Sequence, residues 1–497
     1  MPAERRRAGL LSCLATLVGL LVAGCTPTAP PTVTPSATAT PHDFTLGTSG
    51  PIHTADPAVA LADTDVLIAT SVFQRLMLVL PSTGELKPDA ATDCLFTSPT
   101  LYECTLPKGL LFHNGHELTS SDVKFSVQRA LRFATPGTAI SMLTSLKRID
   151  TPDPLTVRFQ LSYADNQIGY GLASLSASLV DEQTFDPDTA LPLASLPVGS
   201  GPYAVEVIDD TGVTFTRFPT YVGPLVGVLE RIRLQRLADS VAGEAAISDG
   251  SLDMIWRTLE PAALQRVDDE ITASTTHTTA QGFTRYALSG SRVTRLLWSA
   301  DSRLRANATL RQGVSKALQQ DRTLRSVVPV GVEGAVEAFD AGGRPKLPSL
   351  KGDRITLTLA YTPSAPGAAD LANVIRGRIE ELDKVSVRLV TSGSADLILT
   401  DSLAWVNTAM GWLQAFTDSP LAGSQTRIAQ LQLLARTTTG TQRLPALGQL
   451  QQLAAVDATV VPVSQTDGIL LTGQGVVLVG EPFGSGGALG LWSIRHG

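Results

Sequence analysis

Twice in this chain a strand-like run, a helix-like run and a second strand-like run follow one another, and that alternation restricts the fold to the α/β class. In the first unit "LERIRLQRL" alternates apolar and charged residues, "ADSVAGEAAISDG" is helical and closes on Gly250, and "SLDMIW" is strand-like again. In the second, "RITLTLAYTP" and "VSVRLV" flank the helical "GAADLANVIRGRIEELD", and "ADLILT" follows as a further strand. Each unit implies a parallel pair with a right-handed crossover. Upstream, Val66, Ile68, Val72, Leu76 and Leu78 approximate one apolar side of an expected helix. "PVGSGPYAVEVIDDTGVTFTRFPTY" reads as a Gly-rich turn and a hairpin, "RLLWSA" and "ATVVPVSQ" as strands, and "NATLRQGVSKALQQDRTLRSVV" and "RLPALGQLQQLAAVD" as helices. The closing runs "GILLTG", "GVVLVG" and "LGLWSIRHG" are short strands, expected to return to the first unit.

The start of the chain speaks of export. Arg5, Arg6 and Arg7 precede an apolar run ending in "LVAGC", the pattern of a secretory signal with a lipobox. Cys25 is the expected lipidation site, since a thiol after small residues can be alkylated and then freed as the first residue of the mature chain. Residues 25–42 hold mainly Thr, Pro, Ala and Ser, a composition that builds no core and serves as a tether. Losing residues 1–24 removes Glu4 and three arginines from 46 acids and 39 bases, which leaves 45 against 36 and a net charge of −9. That balance argues against a nucleic-acid partner. Cys94 and Cys104, in "CLFTSPTLYEC", flank a Ser-Pro turn and are expected to form a disulfide in an oxidising compartment.

The stretch "LLFHNGHELTSSDVKFSVQRAL" offers two chemistries and supports neither. Asn-Gly is a strong turn signal, so His113 and His116 flank a tight turn. A metal centre needs further ligands, and the chain has only 6 histidines. Ser121 and Lys124 sit at a helix start, as a penicillin-binding nucleophile would, yet no Lys-Thr-Gly completes that site. The expected structure is a hairpin turn feeding a helix capped by Thr119 or Ser120, with Val123, Val127, Ala130 and Leu131 on its apolar face. Gly199 and Gly201 lack the remainder of a phosphate loop, and their expected role is to let the chain turn before Pro202 and Tyr203. The paired acids Asp209–Asp210 and Asp268–Asp269–Glu270 read as solvated loops, and no Gly-x-Ser-x-Gly or His-Glu-x-x-His supports a hydrolase.

Four segments, in order, resemble the extracellular solute-binding proteins of peptide and nickel importers, solute-binding family 5. "LYECTLPKGLLFHNGHELTSSDVKFSVQRAL" is similar to that family's signature, "VGSGPY" to its Gly-Thr-Gly-Pro-Tyr turn, "ISDGSLDMIW" to its Gly-x-x-Asp segment, and "LRQGVSKALQQDR" to its Arg-x-Ala helix. The chain departs from the family at Tyr221–Val222, at Ser299–Ala300, and most of all in "DSLAWVNTAMGWLQAFTDSPLAG", where peptide binders carry an Asp-Pro-rich loop. The resemblance implies a bilobal periplasmic-binding-protein fold (type II, cluster C), with two α/β lobes, an inserted subdomain and a hinge. Residues 43–70, 197–275 and 466–497 would form the first lobe, 71–196 the inserted subdomain, and 276–465 the second lobe.

The same resemblance implies the lipid-anchored binding subunit of an ABC importer. It would take oligopeptides or similar small solutes between its lobes and pass them to a membrane permease, as a monomer, without cofactor, metal or catalysis. Asp401, Trp405 and Trp412 are the expected cleft residues, with Trp298 on the hinge side and Asp418 as the other candidate acid. The altered loop motivates an alternative, a surface lipoprotein that binds and senses without transport.

Overall fold

The computed structural model describes residues 43–402, 406–484 and 487–497, so the signal, Cys25, the tether and Trp405 lie outside the described residues. Strand β1 (Phe44–Thr48) leads into helix α1 (Asp63–Val72). Asp63 and Asp65 occupy the first turn of α1, where the helix dipole favours negative charge. Every residue from Thr64 to Val72 is buried, so α1 has no solvent face, and it ends at Val72. Leu76 and Leu78 therefore leave the expected helix: Leu78 lies in strand β2 (Met77–Val79). The apolar positions were numerous because the whole cylinder is enclosed, which is what an all-round apolar pattern signifies.

The segment expected to form the inserted subdomain opens with β2 and β3 (Leu86–Pro88), an antiparallel pair. Strands β4 (Asp93–Ser98) and β5 (Leu101–Thr105) follow, then α2 (Ser120–Phe133), β6 (Leu146–Asp153), β7 (Thr156–Leu161) and the short helix α3 (Ile168–Leu172). The sheet order is β4-β5-β7-β6. Leu111 bridges Glu117 across the Asn-Gly turn, where Gly115 has φ of +85°. Thr119 caps α2 in a full capping box, its N–H donating to Asp122 Oδ2 at 2.9 Å. Val123, Val127 and Ala130 face the core, but Leu131 is 39% exposed, because its i+8 position has rotated beyond the buried stripe.

Cys94 and Cys104 stand opposite one another in the β4–β5 register and are joined as a disulfide. The sequence separation of 10 makes a small loop. Its closure stabilises the hairpin by roughly 3 kcal/mol on the chain-entropy model. The Cys94→Ser/Cys104→Ser double variant is expected to lower the urea midpoint accordingly, and dithiothreitol is expected to lower the wild type to the same value.

The remaining elements build one ten-stranded sheet with its helices. They are β8 (Tyr203–Asp209), β9 (Gly212–Arg217), β10 (Arg231–Arg236), α4 (Ser240–Asp249), β11 (Met254–Trp256), α5 (Pro261–Ala273) and β12 (Thr284–Trp298). Then come α6 (Ala308–Ala317), β13 (Ile355–Ala360), α7 (Ala368–Glu380), β14 (Val385–Val390), β15 (Leu397–Ser402), α8 (Ala409–Thr417), α9 (Gln425–Thr437), α10 (Leu444–Asp457) and β16 (Val460–Thr472). A last pair, β17 (Val476–Leu478) and β18 (Ile494–His496), closes the chain. The sheet order is β14-β13-β15-β12-β16-β11-β1-β10-β9-β8.

Both crossover units are present, with one difference. Strands β13 and β14 pair directly, whereas β10 and β11 each pair in parallel with β1, which sits between them. Strands β12 and β16 are far longer than the runs "RLLWSA" and "ATVVPVSQ" suggest, and β16 continues past residue 466. Their register breaks between Leu288 and Arg292, where Gly290 has φ of +60° and donates its N–H to Asp467 Oδ1 at 2.8 Å. On one side of this bulge the pair continues into β11 and β1; on the other it continues into β15 and β13. The molecule is a bilobal α/β protein, and these two bulged strands run from one lobe into the other. A bulge concentrates twist and breaks the ladder locally, which bends the paired strands at Gly290.

Candidate functional site

Where the lobes face one another lies a cavity of about 420 Å³. Thr48, Gly50, Asp63 and Thr64 line it from the first lobe, and Thr294, Thr362, Asp401 and Ser464 from the second. The lining is rich in hydroxyls and short side chains, which offer hydrogen bonds without imposing one shape on a guest.

Beside this cavity lies an ion network of four residues. Arg257 Nε lies 2.5 Å from Asp63 Oδ2 in an ion pair, and its Nη2 donates to Asp401 Oδ2 at 3.1 Å. Arg292 Nε donates to Asp401 Oδ1 at 2.8 Å and its Nη2 to the Asp401 carbonyl at 2.7 Å. Asp63 comes from the start of α1, Arg257 from the end of β11, Arg292 from beside the bulge and Asp401 from β15, so the network ties the two lobes together. Both arginines are nearly buried, with side chains 10% and 8% exposed. Two cations and two anions cancel, so closure leaves neither charge type in excess. Burial raises the Asp63 pKa; Arg257 opposes the shift and the Asp401 charge adds to it. Arg257 holds φ of +49°, an uncommon conformation for a residue with a side chain, and its guanidinium meets both acids. A second cavity of about 570 Å³ adjoins the first. Arg257 and Asp401 line both, Asp63 lines only the first and Arg292 only the second, so the network is a partition between them.

The expected site residues separate. Asp401 sits at the cleft, but its carboxylate is already taken by two arginines rather than standing free for an amino terminus. Trp412 is 2% exposed in α8, its Nε1 donating to Asn407 Oδ1 at 2.8 Å and Arg295 lying 5.1 Å from the ring. Burial lowers the Arg295 pKa to about 10. Trp298 is 4% exposed and packs among Leu310, Leu357 and Leu397. Neither tryptophan lines the two cavities. Both are core residues, because their positions on α8 and β12 point inward, and residue type alone does not reveal that. Asp418 accepts from Ser141 Oγ at 2.8 Å at the contact between α8 and the inserted subdomain, away from the cavity, and burial raises its pKa. Trp405 is outside the described residues.

Asp63, Arg257 and Arg292 were not singled out from the sequence. The usable signal was Arg292 in "SRVTRLLW", a charge inside an otherwise buried strand, which demands a partner.

The histidine turn serves structure. His116, Asp122 and Asp181 gather as the one cluster of three potential metal ligands among the described residues. Their oxygens are taken by the protein itself: Asp181 accepts from Asn114 Nδ2 and Gln183 N, and Asp122 from Thr119 N and Glu182 N. His113 is clamped by Gly199 N on Nδ1 at 3.3 Å and faces Gly201 O from Nε2 at 3.1 Å. Neither glycine is at positive φ; what they supply is room. A Cβ on Gly199 would fall 2.0 Å from Val72 O, and Gly201 N donates to that same oxygen at 2.8 Å.

Burial pushes the His113 pKa down to about 4. The folded state therefore keeps it neutral where the unfolded chain, with its ordinary value near 6.5, takes up a proton. Stability is expected to fall as pH drops through that window. Between pH 6.5 and 4 the wild type should lose about 3 kcal/mol more than His113→Gln, read from urea midpoints at each pH.

Comparison with known proteins agrees with this architecture. The model for bacterial extracellular solute-binding proteins, family 5 Middle, matches residues 85–373. The periplasmic binding protein DppA from Helicobacter pylori, solved with the peptide STSA, superposes with a TM-score of 0.75 at 16% identity, over 91% of this chain and 98% of that one. A dipeptide-binding protein from a Pseudoalteromonas species, solved with Met-Leu, gives 0.73 at 17% identity over 91% and 100%. NikZ from Campylobacter jejuni, solved with Ni(L-His), gives 0.68 at 14% over 91% and 99%. At such identities the likeness is one of fold. Among curated proteins, the HTH-type transcriptional regulator SgrR of Pectobacterium atrosepticum is 27% identical over 173 residues, 35% of this chain and 30% of the regulator. The Escherichia coli K12 regulator is 25% identical over 293 residues, 58% and 51%. The chain thus spans about half, or less, of the length of these curated relatives.

Proposed function

Because the chain belongs to family 5 of the bacterial extracellular solute-binding proteins, we propose that it captures oligopeptides or similar small solutes between its lobes and delivers them to an ABC permease. The relatives of this family are binding proteins rather than enzymes. The observation that carries the reading is the hydroxyl-lined cavity closed by an ion network whose members come from both lobes. Two lobes that meet through paired charges close on a guest by hinge motion and reopen without chemistry. No described helix is long and apolar enough to cross a membrane. Attachment through lipid on Cys25, with the Thr/Pro tether as spacer and the chain working as a monomer, completes the proposal.

A second reading has its own support. The curated relatives are named as transcriptional regulators, so a related segment occurs in proteins named for regulation rather than transport. On that reading this protein senses without transport.

Calorimetry against a panel of mixed peptides and nickel–histidine chelates tests binding itself. A solute at a hundred times its Kd should stabilise the folded state by about 2.7 kcal/mol. Folded protein that responds to nothing in the panel contradicts both readings. Peptide uptake by cells carrying the wild-type gene but not a deletion separates transport from sensing.

A further inference from the structure

We infer that the start of α1 is a subsite for a carboxylate on the captured solute, with Thr64 as the residue that selects it. This rests on the binding-protein reading above and adds the ligand's chemical class.

The first N–H groups of any helix lack acceptors within it. In α1, ten residues long, the N-cap is Ala62, which makes no side-chain cap. Ala62, Asp63 and Thr64 all line the interlobe cavity, which brings this end of the helix to whatever enters. A separate observation points the same way. Thr64 is 1% exposed, yet its Oγ1 has no hydrogen-bond partner among the described residues. Buried hydroxyls normally find one. The space before this oxygen is kept by a glycine: a Cβ on Gly50 would lie 2.3 Å from Thr64 Oγ1, and Gly50 also lines the cavity.

The acids nearby are already engaged. Asp65 accepts from His53 N at 2.8 Å and Thr54 N at 3.3 Å, with His53 Nδ1 at 3.4 Å. Asp63 is held by Arg257 at 2.5 Å. What this end of the cavity offers a guest is therefore donors: helix N–H groups and the Thr64 hydroxyl. An ammonium group would meet the positive end of the helix dipole, whereas a carboxylate, with one charge and two acceptor oxygens, fits it. Solutes that end in a free carboxylate, such as short peptides or acylated amino acids, are the class selected.

The test uses dialanine in three forms, free, N-acetylated and C-amidated, titrated calorimetrically into the whole protein. The free and acetylated forms should bind, and the amidated form at least about tenfold more weakly. Thr64→Val, which keeps the shape and removes the hydroxyl, should weaken the first two about tenfold, leave the amide unchanged, and leave the melting temperature equal or higher. Thr64→Ser should restore binding. Equal affinity for amide and acid, or full affinity in Thr64→Val, overturns the inference. If no form binds while the mixed panel does, this subsite is refuted and the binding-protein reading stands. Silence from the panel as well removes both.

Discussion

Asp56→Ala is expected to destabilise the protein by about 3–5 kcal/mol, the largest single effect among the ion pairs of the fold. Asp56 is wholly buried and takes Arg129 Nη1 at 2.9 Å and Nη2 at 2.5 Å, together with the N–H groups of Ala58 and Leu191. Arg129, itself 2% exposed, projects from α2, so this pair fastens α2 to the segment between β1 and α1. Removing the carboxylate leaves a guanidinium without a counter-charge in a medium that solvates it poorly, with the carbonyls of Asp186 and Thr189 as its remaining acceptors. The exposed pair Arg132–Asp188 is the control, with side chains 50% and 72% exposed. Asp188→Ala should leave the urea midpoint unchanged, because such pairs contribute little in water. Equal midpoints for the two variants would show that Asp56 does not hold α2 in place.

Asp401→Ala has the largest expected effect on function. Its carboxylate receives both Arg257 and Arg292, and its loss leaves two nearly buried guanidinium groups with Asp63 as their only acidic partner in the network. Truncating one side of a desolvated charge contact between two bodies costs about 2 kcal/mol or more. Because the contact joins the lobes, that free energy comes out of the closed state, and a thirtyfold or so shift toward open molecules follows. Two readouts should move together: affinity for the best solute of the panel should fall about thirtyfold, and the radius of gyration in solution should rise in the presence of that solute relative to wild type. Asp401→Asn, which can still accept from one arginine, should fall between. Unchanged affinity in Asp401→Ala would remove the network from the mechanism.

What could be read from the sequence was what short-range chemistry determines. The capping box at Thr119, the Gly250 terminus of α4 with φ of +65° and the turn at Gly115 were legible because each is set within a few residues. Pairing across the chain was not. That β1 would slip between β10 and β11 depends on contacts spanning about 190 residues, as between Phe44 and Ile232. Strands β12 and β16 were foreshortened because Gly290 and Gly468 interrupt their apolar pattern at the bulge that lets the sheet pass from lobe to lobe. The site divided in the same manner. Asp401 stood out as an acid after a strand, but its partners Asp63, Arg257 and Arg292 come from three distant segments. Trp298 and Trp412 carry the same side chain whether they line a cleft or fill a core, and packing assigned them to the core.

On the proposed function a solute is held between the lobes, in the cavity beside the Asp63–Arg257–Asp401–Arg292 network. Native mass spectrometry of protein purified under mild conditions tests this most directly. The expected result is a discrete small-molecule adduct on the wild type that is absent from Asp401→Ala and Arg257→Ala proteins of intact fold. An adduct that survives both substitutions, or bare protein that also ignores the solute panel, would contradict it.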